Sequence, residues 1–211
     1  MSTPVLETPR LRLRPLVSYD AQDIQRQFPQ WEIVRFMAAN RVPWPYPADG
    51  ARQYLTSRLL PAMQTGSRFG WAITLKARLD DALIGVITLK PDREACNRGF
   101  WIGADWQGRG YMTEASFAVN DFAFAALALP ELLFTSADSN TPSIRLKERS
   151  GATCIQHGEF AFHAGVLPIS RWRLTAKDWQ VHRSDVWKSL GEKAKVVQPA
   201  AAAEFCQKSK A

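Results

Sequence analysis

Residues 100–115 have the sequence FWIGADWQGRGYMTEA, in which a strand-like pattern changes to a helical one at two glycines. Gly108 and Gly110 can adopt backbone angles that other residues avoid, and they carry no Cβ atom that would keep a ligand away from the backbone. Amide N–H groups there can converge on one anion, which the positive end of the following helix also attracts. The segment predicts a pyrophosphate-binding turn, although an isolated Gly-x-Gly more often only connects a strand to a helix.

The composition indicates one globular domain. The chain has 211 residues, of which 46% are hydrophobic and 22% charged, so it can build a sizeable core. We predict that residues 1–190 form this domain and that residues 191–211, which are basic and rich in alanine, form a flexible tail. The apolar stretches are too short to cross a bilayer and the first residues lack the apolar core of a secretion signal, so we expect a cytoplasmic protein.

Charge and cysteine content narrow the function classes. The three cysteines, Cys96, Cys154 and Cys206, are widely scattered, which fits reduced thiols better than a metal site or a disulfide framework. The formal charge of +7 could attract nucleic acid or an acidic membrane surface, but no basic stripe with interleaved aromatic residues accompanies it. We therefore expect neither a metal nor a membrane, and nucleic-acid binding is a minor hypothesis.

Hydrophobic periodicity predicts a mixed α/β domain with a single central sheet. Strands are predicted at residues 10–16, 69–76, 83–90, 98–104, 132–137, 154–162 and 166–175. Helices are predicted at residues 20–28, 31–39, 48–64, 113–129, 140–151 and 179–190. The helix at 113–129 begins just after the glycine turn, so an anion held by that turn would lie at the helix N-terminus.

Residues 42–47, VPWPYP, alternate prolines with large side chains and are predicted to form a rigid loop. A fixed backbone presents Trp44 and Tyr46 with little entropy left to lose, which suits the wall of a pocket for a second substrate. Both rings could equally fill the core beneath the loop.

Four blocks of sequence, in this order and spacing, resemble the GNAT-type N-acetyltransferases, and within them the branch that includes the ribosomal-protein N-terminal acetyltransferases. The blocks are LETPRLRLRPL at residues 6–16, IGVI at 84–87, WQGRGYMTEA at 106–115, and NTPS at 140–143 with KERSGA at 147–152. The resemblance implies a mostly antiparallel central sheet of about seven strands with helices on both faces. It further implies a pair of parallel strands that splay apart to form the acetyl-CoA cleft.

The resemblance also implies which residues bind acetyl-CoA. The strand that begins at Arg98 would pair its backbone with the pantetheine arm of the cofactor. The cofactor-binding residues would be Ile102, Gly103, Gln107, Gly108, Arg109, Gly110, Tyr111, Met112 and Asn140. The family has Gln or Arg three residues before the first glycine, where this chain has Asp105, so Arg109 would supply the positive charge instead.

Catalytic residues follow from the same resemblance. Asn140 and Ser143 occupy the place where the family positions a polar side chain toward the cofactor thiol. Ser143 would donate a proton to the leaving thiolate, and Asn140 would bind near it, although a helix cap explains Asn140 equally well. Glu114 lies in the first turn of a helix, where the dipole favours a carboxylate, so we expect it to be structural.

The general base is the least determined part of the site. Relatives often have Glu at the position of Asn97, and an amide cannot accept a proton. Glu94 is the nearest candidate, acting directly or through water, although it could equally be an exposed loop carboxylate. His157 and His163, in or near the predicted closing hairpin, are weaker candidates.

The absence of a carboxylate at position 97 affects which kind of amine we expect as the acceptor. At pH 7 an α-amine loses its proton at a cost of about 1.2 kcal/mol, whereas a lysine amine needs about 4.6 kcal/mol. We therefore predict direct transfer of acetyl from acetyl-CoA to a primary amine in a ternary complex, with a protein N-terminus as the favoured acceptor. A small amine (a polyamine, amino acid or antibiotic), a non-catalytic acyl-CoA-binding module and an RNA- or ribosome-docking protein are the alternatives. A homodimer is compatible with the sequence.

Overall fold

The computed structural model describes residues 1–92, 96–189 and 195–196. Within them, every strand pairing is antiparallel, and the strands form a six-stranded sheet of order β5-β4-β3-β2-β1-β9 and a three-stranded sheet of order β6-β8-β7. The strands are β1 (Leu6–Glu7), β2 (Leu11–Pro15), β3 (Phe69–Leu75), β4 (Leu83–Leu89), β5 (Arg98–Ile102), β6 (Glu131–Ala137), β7 (Thr153–Phe162), β8 (Gly165–Thr175) and β9 (Lys195–Val196).

Most helices lie at the predicted positions, but the helix predicted at residues 31–39 ends at Val34, and two other predicted helices contain π-helical turns. They are α1 (Ala21–Gln27), α2 (Trp31–Val34), α3 (Gly50–Tyr54), α4 (Leu60–Gln64), α5 (Tyr111–Asp121), α6 (Thr141–Arg149) and α7 (Ala176–Ser189). A π-helical turn at Leu55–Leu59 joins α3 to α4, and another at Phe122–Ala126 extends α5. The helical segment stops before Pro130, because proline has no amide N–H to continue the ladder.

Helices cover both faces of the larger sheet, as the sequence predicts. Alternate residues of a strand point to opposite faces. On β3, Phe69 and Trp71 pack against Phe122 at the end of α5, with ring centroids 5.1 and 5.5 Å apart. Ala72 points the other way and belongs to a second core with Ile24 of α1. The sheet therefore separates two cores.

Helix α7 is attached to the end of α5 by one buried carboxylate. Asp121 accepts hydrogen bonds from the indole N–H groups of Trp179 and Trp187, at 2.9 and 3.1 Å, and from the guanidinium of Arg183. The positive charge of Arg183 compensates a carboxylate at a helix C-terminus, where the dipole disfavours it. These bonds fix α5, and with it the turn from which α5 starts.

Hydrogen bonds join the two sheets where β5 begins. Asn97 donates its backbone N–H to Leu133 O at 2.9 Å, and Leu133 N–H donates to the side-chain oxygen of Asn97 at 2.7 Å. Beyond this point no strand of the described chain pairs with the outer edge of β5. The mixed α/β architecture is therefore as predicted, but the strands divide between two hydrogen-bonded sheets instead of one, and the splayed parallel pair stays a prediction.

Two short strands, β1 and β9, escaped the sequence analysis because two residues are too few to show a period. Leu6 pairs with Val196, and Glu7 pairs with Lys195. The tail predicted to be flexible otherwise lies outside the described residues. In the part of the chain that the structure describes, no helix combines the length and the apolar character needed to span a bilayer.

Candidate active site

The glycine turn, defined here as residues 107–112, has the backbone geometry that the sequence predicts. Gly108 and Gly110 have φ angles of 74° and 78°, in the left-handed region that side chains disfavour. Gly110 is the N-cap of α5, and no side chain caps this helix. The amide groups of its first turn are therefore left for a ligand. A Cβ added at Gly108 would meet no atom within 4 Å, so this side of the turn is open.

A buried carboxylate holds the glycine turn in place. The side chain of Glu114 is 0% exposed, and it accepts hydrogen bonds from Thr8 Oγ1 at 2.5 Å and from the backbone N–H of Arg10 at 2.8 Å. Arg10 Nε also donates to Glu114 at 2.7 Å, and Arg10 Nη1 donates to Arg109 O at 3.0 Å. The carboxylate thus ties the turn before β2 to the glycine turn, in the structural role expected for Glu114.

The residues just before the glycine turn are anchored to the rest of the protein. Gly103 N–H donates to Ile84 O at 2.9 Å, and Gly103 O accepts from Trp106 N–H at 2.9 Å. Its close packing leaves no space for a side chain, since an added Cβ would lie 2.6 Å from Gln27 Oε1. Gln107 Nε2 donates to Ile102 O at 3.3 Å. Gly103 therefore shapes the cleft, with its own N–H and C=O already bonded within the protein.

The remaining predicted residues of the turn differ in exposure. Arg109 and Asp105 are exposed, and the guanidinium of Arg109 lies 5.4 Å from the ring centroid of Trp106. Tyr111 and Met112 are half-buried and pack against the core, and Arg10 lies 4.7 Å over the ring of Tyr111. The side chain of Arg109 is thus free to approach an anion above the turn.

Asn97 has a structural role that its sequence position did not reveal. Besides its bonds to Leu133, its side-chain amide donates to Lys90 O at 3.0 Å, and the residue is buried. Both ends of the amide are therefore occupied in joining the two sheets, and a carboxylate could not make the donated bond. Glu94, the predicted base, lies outside the described residues.

Asn140 and Ser143 lie together at the start of α6. Asn140 is the N-cap, and its side-chain oxygen accepts from Ser143 N–H at 3.3 Å, so the capping role is present. The Ser143 hydroxyl accepts a hydrogen bond from Lys147 Nζ at 2.8 Å. Lys147 also donates to Ser143 O at 3.1 Å. The predicted proton donor is thus paired with a lysine one helical turn further along.

Sequence reasoning missed Lys147, although a signal for it exists. Residues Ser143, Leu146, Lys147 and Ser150 are three or four positions apart and share the buried face of α6. A lysine on such a face is uncommon, because burial of an unpaired charge is costly. A lysine at such a position indicates that this face of α6 has a functional role as well as a packing role.

A second buried cation lies at the start of β5. Arg98 is only 5% exposed, and its Nη1 donates to Asn120 Oδ1 at 2.5 Å, while its Nε and Nη2 have no hydrogen-bond partner in the described chain. Burial lowers the pKa of Arg98 to about 10. Burial lowers the pKa of Lys147 to about 7, and the charge of Arg98 contributes to this shift. No carboxylate of the described residues pairs with either cation.

The acceptor loop, residues 42–47, places its two aromatic rings differently. Tyr46 is half-buried, with its ring centroid 5.2 Å from that of Phe28, and burial raises the pKa of its hydroxyl to about 12. Trp44 is 40% exposed, and its ring centroid lies 5.9 Å from that of Trp31, which is itself 44% exposed. Tyr46 therefore fills the core, whereas Trp44 belongs to an exposed aromatic pair.

The two histidines of the closing hairpin are both engaged. His163 donates its Nε2–H to Val42 O at 2.7 Å, so it holds the acceptor loop. His157 Nδ1 lies 3.2 Å from Ser170 Oγ, which donates to Asp138 at 2.7 Å. Neither histidine contacts Ser143 or the glycine turn.

Comparisons with known proteins agree with this geometry. A family model described as an acetyltransferase (GNAT) domain matches residues 10–153. RimJ of Mycobacterium smegmatis, in complex with CoA-disulfide, superposes with a TM-score of 0.74 at 18% identity, covering 90% of this chain and 94% of that one. The ribosomal-protein-S5-alanine acetyltransferase of Vibrio fischeri gives 0.68 at 17% identity, covering 83% and 98%. RimL, a ribosomal alpha-N-protein acetyltransferase in complex with coenzyme A, gives 0.67 at 14% identity, covering 80% and 95%.

Proposed function

This chain belongs to the GNAT family of acetyl-CoA-dependent N-acetyltransferases, and we propose that its acceptor is the α-amine of a protein N-terminus. The acceptor nitrogen would attack the acetyl carbon directly, without a covalent acyl-enzyme, and the sulfur of the cofactor would leave as a thiolate. Three tasks then fall to the protein: holding the cofactor, placing the amine and supplying a proton to the sulfur.

The glycine turn fits the cofactor pyrophosphate. Gly108 and Gly110 have left-handed backbone angles and the N-terminus of α5 has no side-chain cap, so amide groups there are left for a ligand, and an anion at that position also gains from the helix dipole. The outer edge of β5 has no strand partner in the described chain, so it is available to the amide groups of the pantetheine arm. Gln107 N–H donates to Ala104 O at 3.1 Å, so we propose that the amide groups of the turn after Gln107, up to Met112, bind the phosphates and that β5 binds the arm.

Ser143 is the proposed proton donor to the thiolate. The Asn140 cap fixes the first turn of α6, and with it the position of the Ser143 hydroxyl. A positioned acid of this kind contributes about a hundredfold or more to the rate. We also propose that Asn140, which caps α6, contacts the cofactor.

The observation that carries the choice of acceptor is the role of Asn97. The residue that stands where relatives often have a glutamate is an amide committed to joining the two sheets. An acceptor that loses its proton at little cost needs less help from a base, and an α-amine is such an acceptor. The printed names of RimL and of the Vibrio fischeri protein, which describe N-terminal and ribosomal-protein acetylation, support the same choice. Acetyl-CoA and new protein chains meet in the cytoplasm, which we propose as the location.

The proposal is tested by measuring CoA thiol release with matched acceptors. One peptide beginning with Ala or Ser is prepared in two forms: a free N-terminus with an acetylated internal lysine, and a blocked N-terminus with a free lysine. Polyamines and free amino acids complete the panel. We expect turnover with the free N-terminus and at least tenfold less with the free lysine. Turnover confined to polyamines would contradict the acceptor, and acetyl-CoA binding without turnover of any amine would indicate a non-catalytic module.

A further inference from the structure

Lys147 is the most unusual group near the proposed site. It is 2% exposed, lies on the inner face of α6 and contacts Ser143 with its ammonium nitrogen. An apolar side chain of similar length would fill this space without the cost of burying an amine. The buried lysine therefore lowers stability, and it contacts Ser143, the residue proposed to act on the cofactor sulfur.

We propose that Lys147 is a positioning residue that supplies Ser143 with the proton for the leaving thiolate. This inference rests on the proposed role of Ser143. The nitrogen of Lys147 lies 2.8 Å from Ser143 Oγ and 3.1 Å from Ser143 O, and these contacts fix the lysine side chain at both oxygens. Because Oγ accepts a hydrogen bond from the Nζ ammonium, its own O–H is available to donate to another acceptor. That acceptor is the sulfur.

The charges around Lys147 favour proton release. Arg98, at the start of β5, and the thiol of Cys96, just before it, are the titratable groups of neighbouring elements that act on it. Burial disfavours the charged form of Lys147 most and lowers its pKa, the charge of Arg98 lowers this pKa further, and together they outweigh the opposite effect of Cys96. A lysine paired with a carboxylate would hold its proton too firmly, whereas this one has a pKa of about 7. A group that is half protonated at neutral pH can both give and regain a proton.

The proton balance of the step is complete. The acceptor nitrogen forms a bond to the acetyl carbon, the carbon–sulfur bond breaks, and its electron pair remains on sulfur. Ser143 gives its hydroxyl proton to the sulfur and receives one from the Lys147 ammonium. The acetylated nitrogen loses its extra proton to solvent, and neutral Lys147 takes a proton from solvent before the next turnover. A thiol with an ordinary pKa of about 8.5 is a weaker acid than Lys147, so the transfer is downhill.

The test compares Lys147→Met with Arg149→Met, a control on the exposed side of the same helix. Methionine keeps the unbranched shape and most of the length of the side chain without the charge, so we expect the Lys147→Met protein to melt no lower than wild type at pH 6. We expect kcat to fall about tenfold or more, with the Michaelis constants of both substrates within about twofold of wild type. Arg149→Met should leave kcat unchanged.

The pH profile separates a proton role from a structural one. Lys147 must be protonated to act, so kcat of wild type should decline as the pH rises above about 7. In the Lys147→Met protein this decline should disappear, because the group that titrates is gone. A wild-type kcat and an unchanged profile in the variant would overturn the inference. In wild type, the lysine-specific 13Cε resonance of Lys147 should titrate near pH 7, and a midpoint near pH 10 would also overturn it.

A variant of the serine distinguishes failure of the inference from failure of the proposed function. Ser143→Ala should lower kcat, and adding Lys147→Met to it should cause no further loss, since the two residues act in series. A slow Ser143→Ala enzyme beside a normal Lys147→Met enzyme would contradict only the role of Lys147. Full activity of Ser143→Ala would contradict the proposed acid itself.

Discussion

The glycine turn and the acceptor loop both restrict the backbone, one with glycines and the other with prolines, but different forces hold them. The glycine turn is fixed by ionic bonds to a fully buried carboxylate, Glu114. The acceptor loop is held by uncharged contacts: hydrogen bonds from His163 to Val42 O and from Gln25 to Pro47 O, and the packing of Tyr46. The difference between them is charge and burial: an ionic contact inside the protein fixes the glycine turn, whereas the acceptor loop has uncharged contacts and leaves Trp44 exposed.

The largest effect is expected from Gly110→Val. A β-branched residue at a φ of 78° carries a strain of about 1–2 kcal/mol and blocks the approach of phosphate to the backbone. Loss of two amide hydrogen bonds to phosphate, at about 1.5–3 kcal/mol each, would weaken acetyl-CoA binding about a hundredfold or more. Gly66→Val, at a φ of 74° in a distant turn, is the control for strain alone. Equal affinity for acetyl-CoA in a folded Gly110→Val protein would remove the turn from the site.

Tyr46→Ala tests whether the acceptor loop is held by packing. The ring fills the core beside Phe28, so its removal should lower the free energy of unfolding by about 3 kcal/mol. Chemical denaturation measures this directly. Acetyl-CoA affinity in the folded fraction should stay normal, because the glycine turn has its own anchor. An unchanged stability would mean that Tyr46 does not plug the core.

Glu114→Gln tests the ionic anchor of the glycine turn. The amide carries no charge and has only one accepting oxygen where the carboxylate uses two, and since Arg10 is partly solvated we expect a loss of about 2 kcal/mol in unfolding free energy. Acetyl-CoA binding should weaken with it. Glu7→Gln, which breaks more exposed pairs with Lys76 and Arg12, should cost less than about 1 kcal/mol. If Glu114→Gln and Glu7→Gln lower the unfolding free energy by the same amount, burial does not strengthen the contact of Glu114 with Arg10.

The smallest effect on stability is expected from Trp44→Ala, since the ring is largely a surface group. The melting temperature should change little, and acetyl-CoA affinity should not change. The Michaelis constant for the peptide acceptor should rise several-fold if the exposed pair of Trp44 and Trp31 contacts it. Steady-state kinetics with the free N-terminal peptide give the answer, and an unaltered constant would place the acceptor elsewhere.

Most of the fold could be predicted because long elements repeat a period. The strands on either side of the glycine turn, β5 and β6, are observed within two residues of their predicted ends, and α5 starts two residues before its predicted position. The joint between the sheets could not be predicted in this way. Asn97 looks like a substituted catalytic position in sequence, and only its partners on β6 and at Lys90 identify it as a connector.

The sequence by itself determined the glycine turn, the cap at Asn140 and the family, because these depend on residues that are neighbours in the chain. The tertiary structure decided which of Trp44 and Tyr46 is exposed, and it decided the state of Lys147. The spacing of Ser143 and Lys147 places both on one face of α6, but it does not show how deeply that face is buried. The lysine charge becomes labile only when α6 packs Lys147 away from water and toward Arg98, because desolvation and the neighbouring cation both act through space.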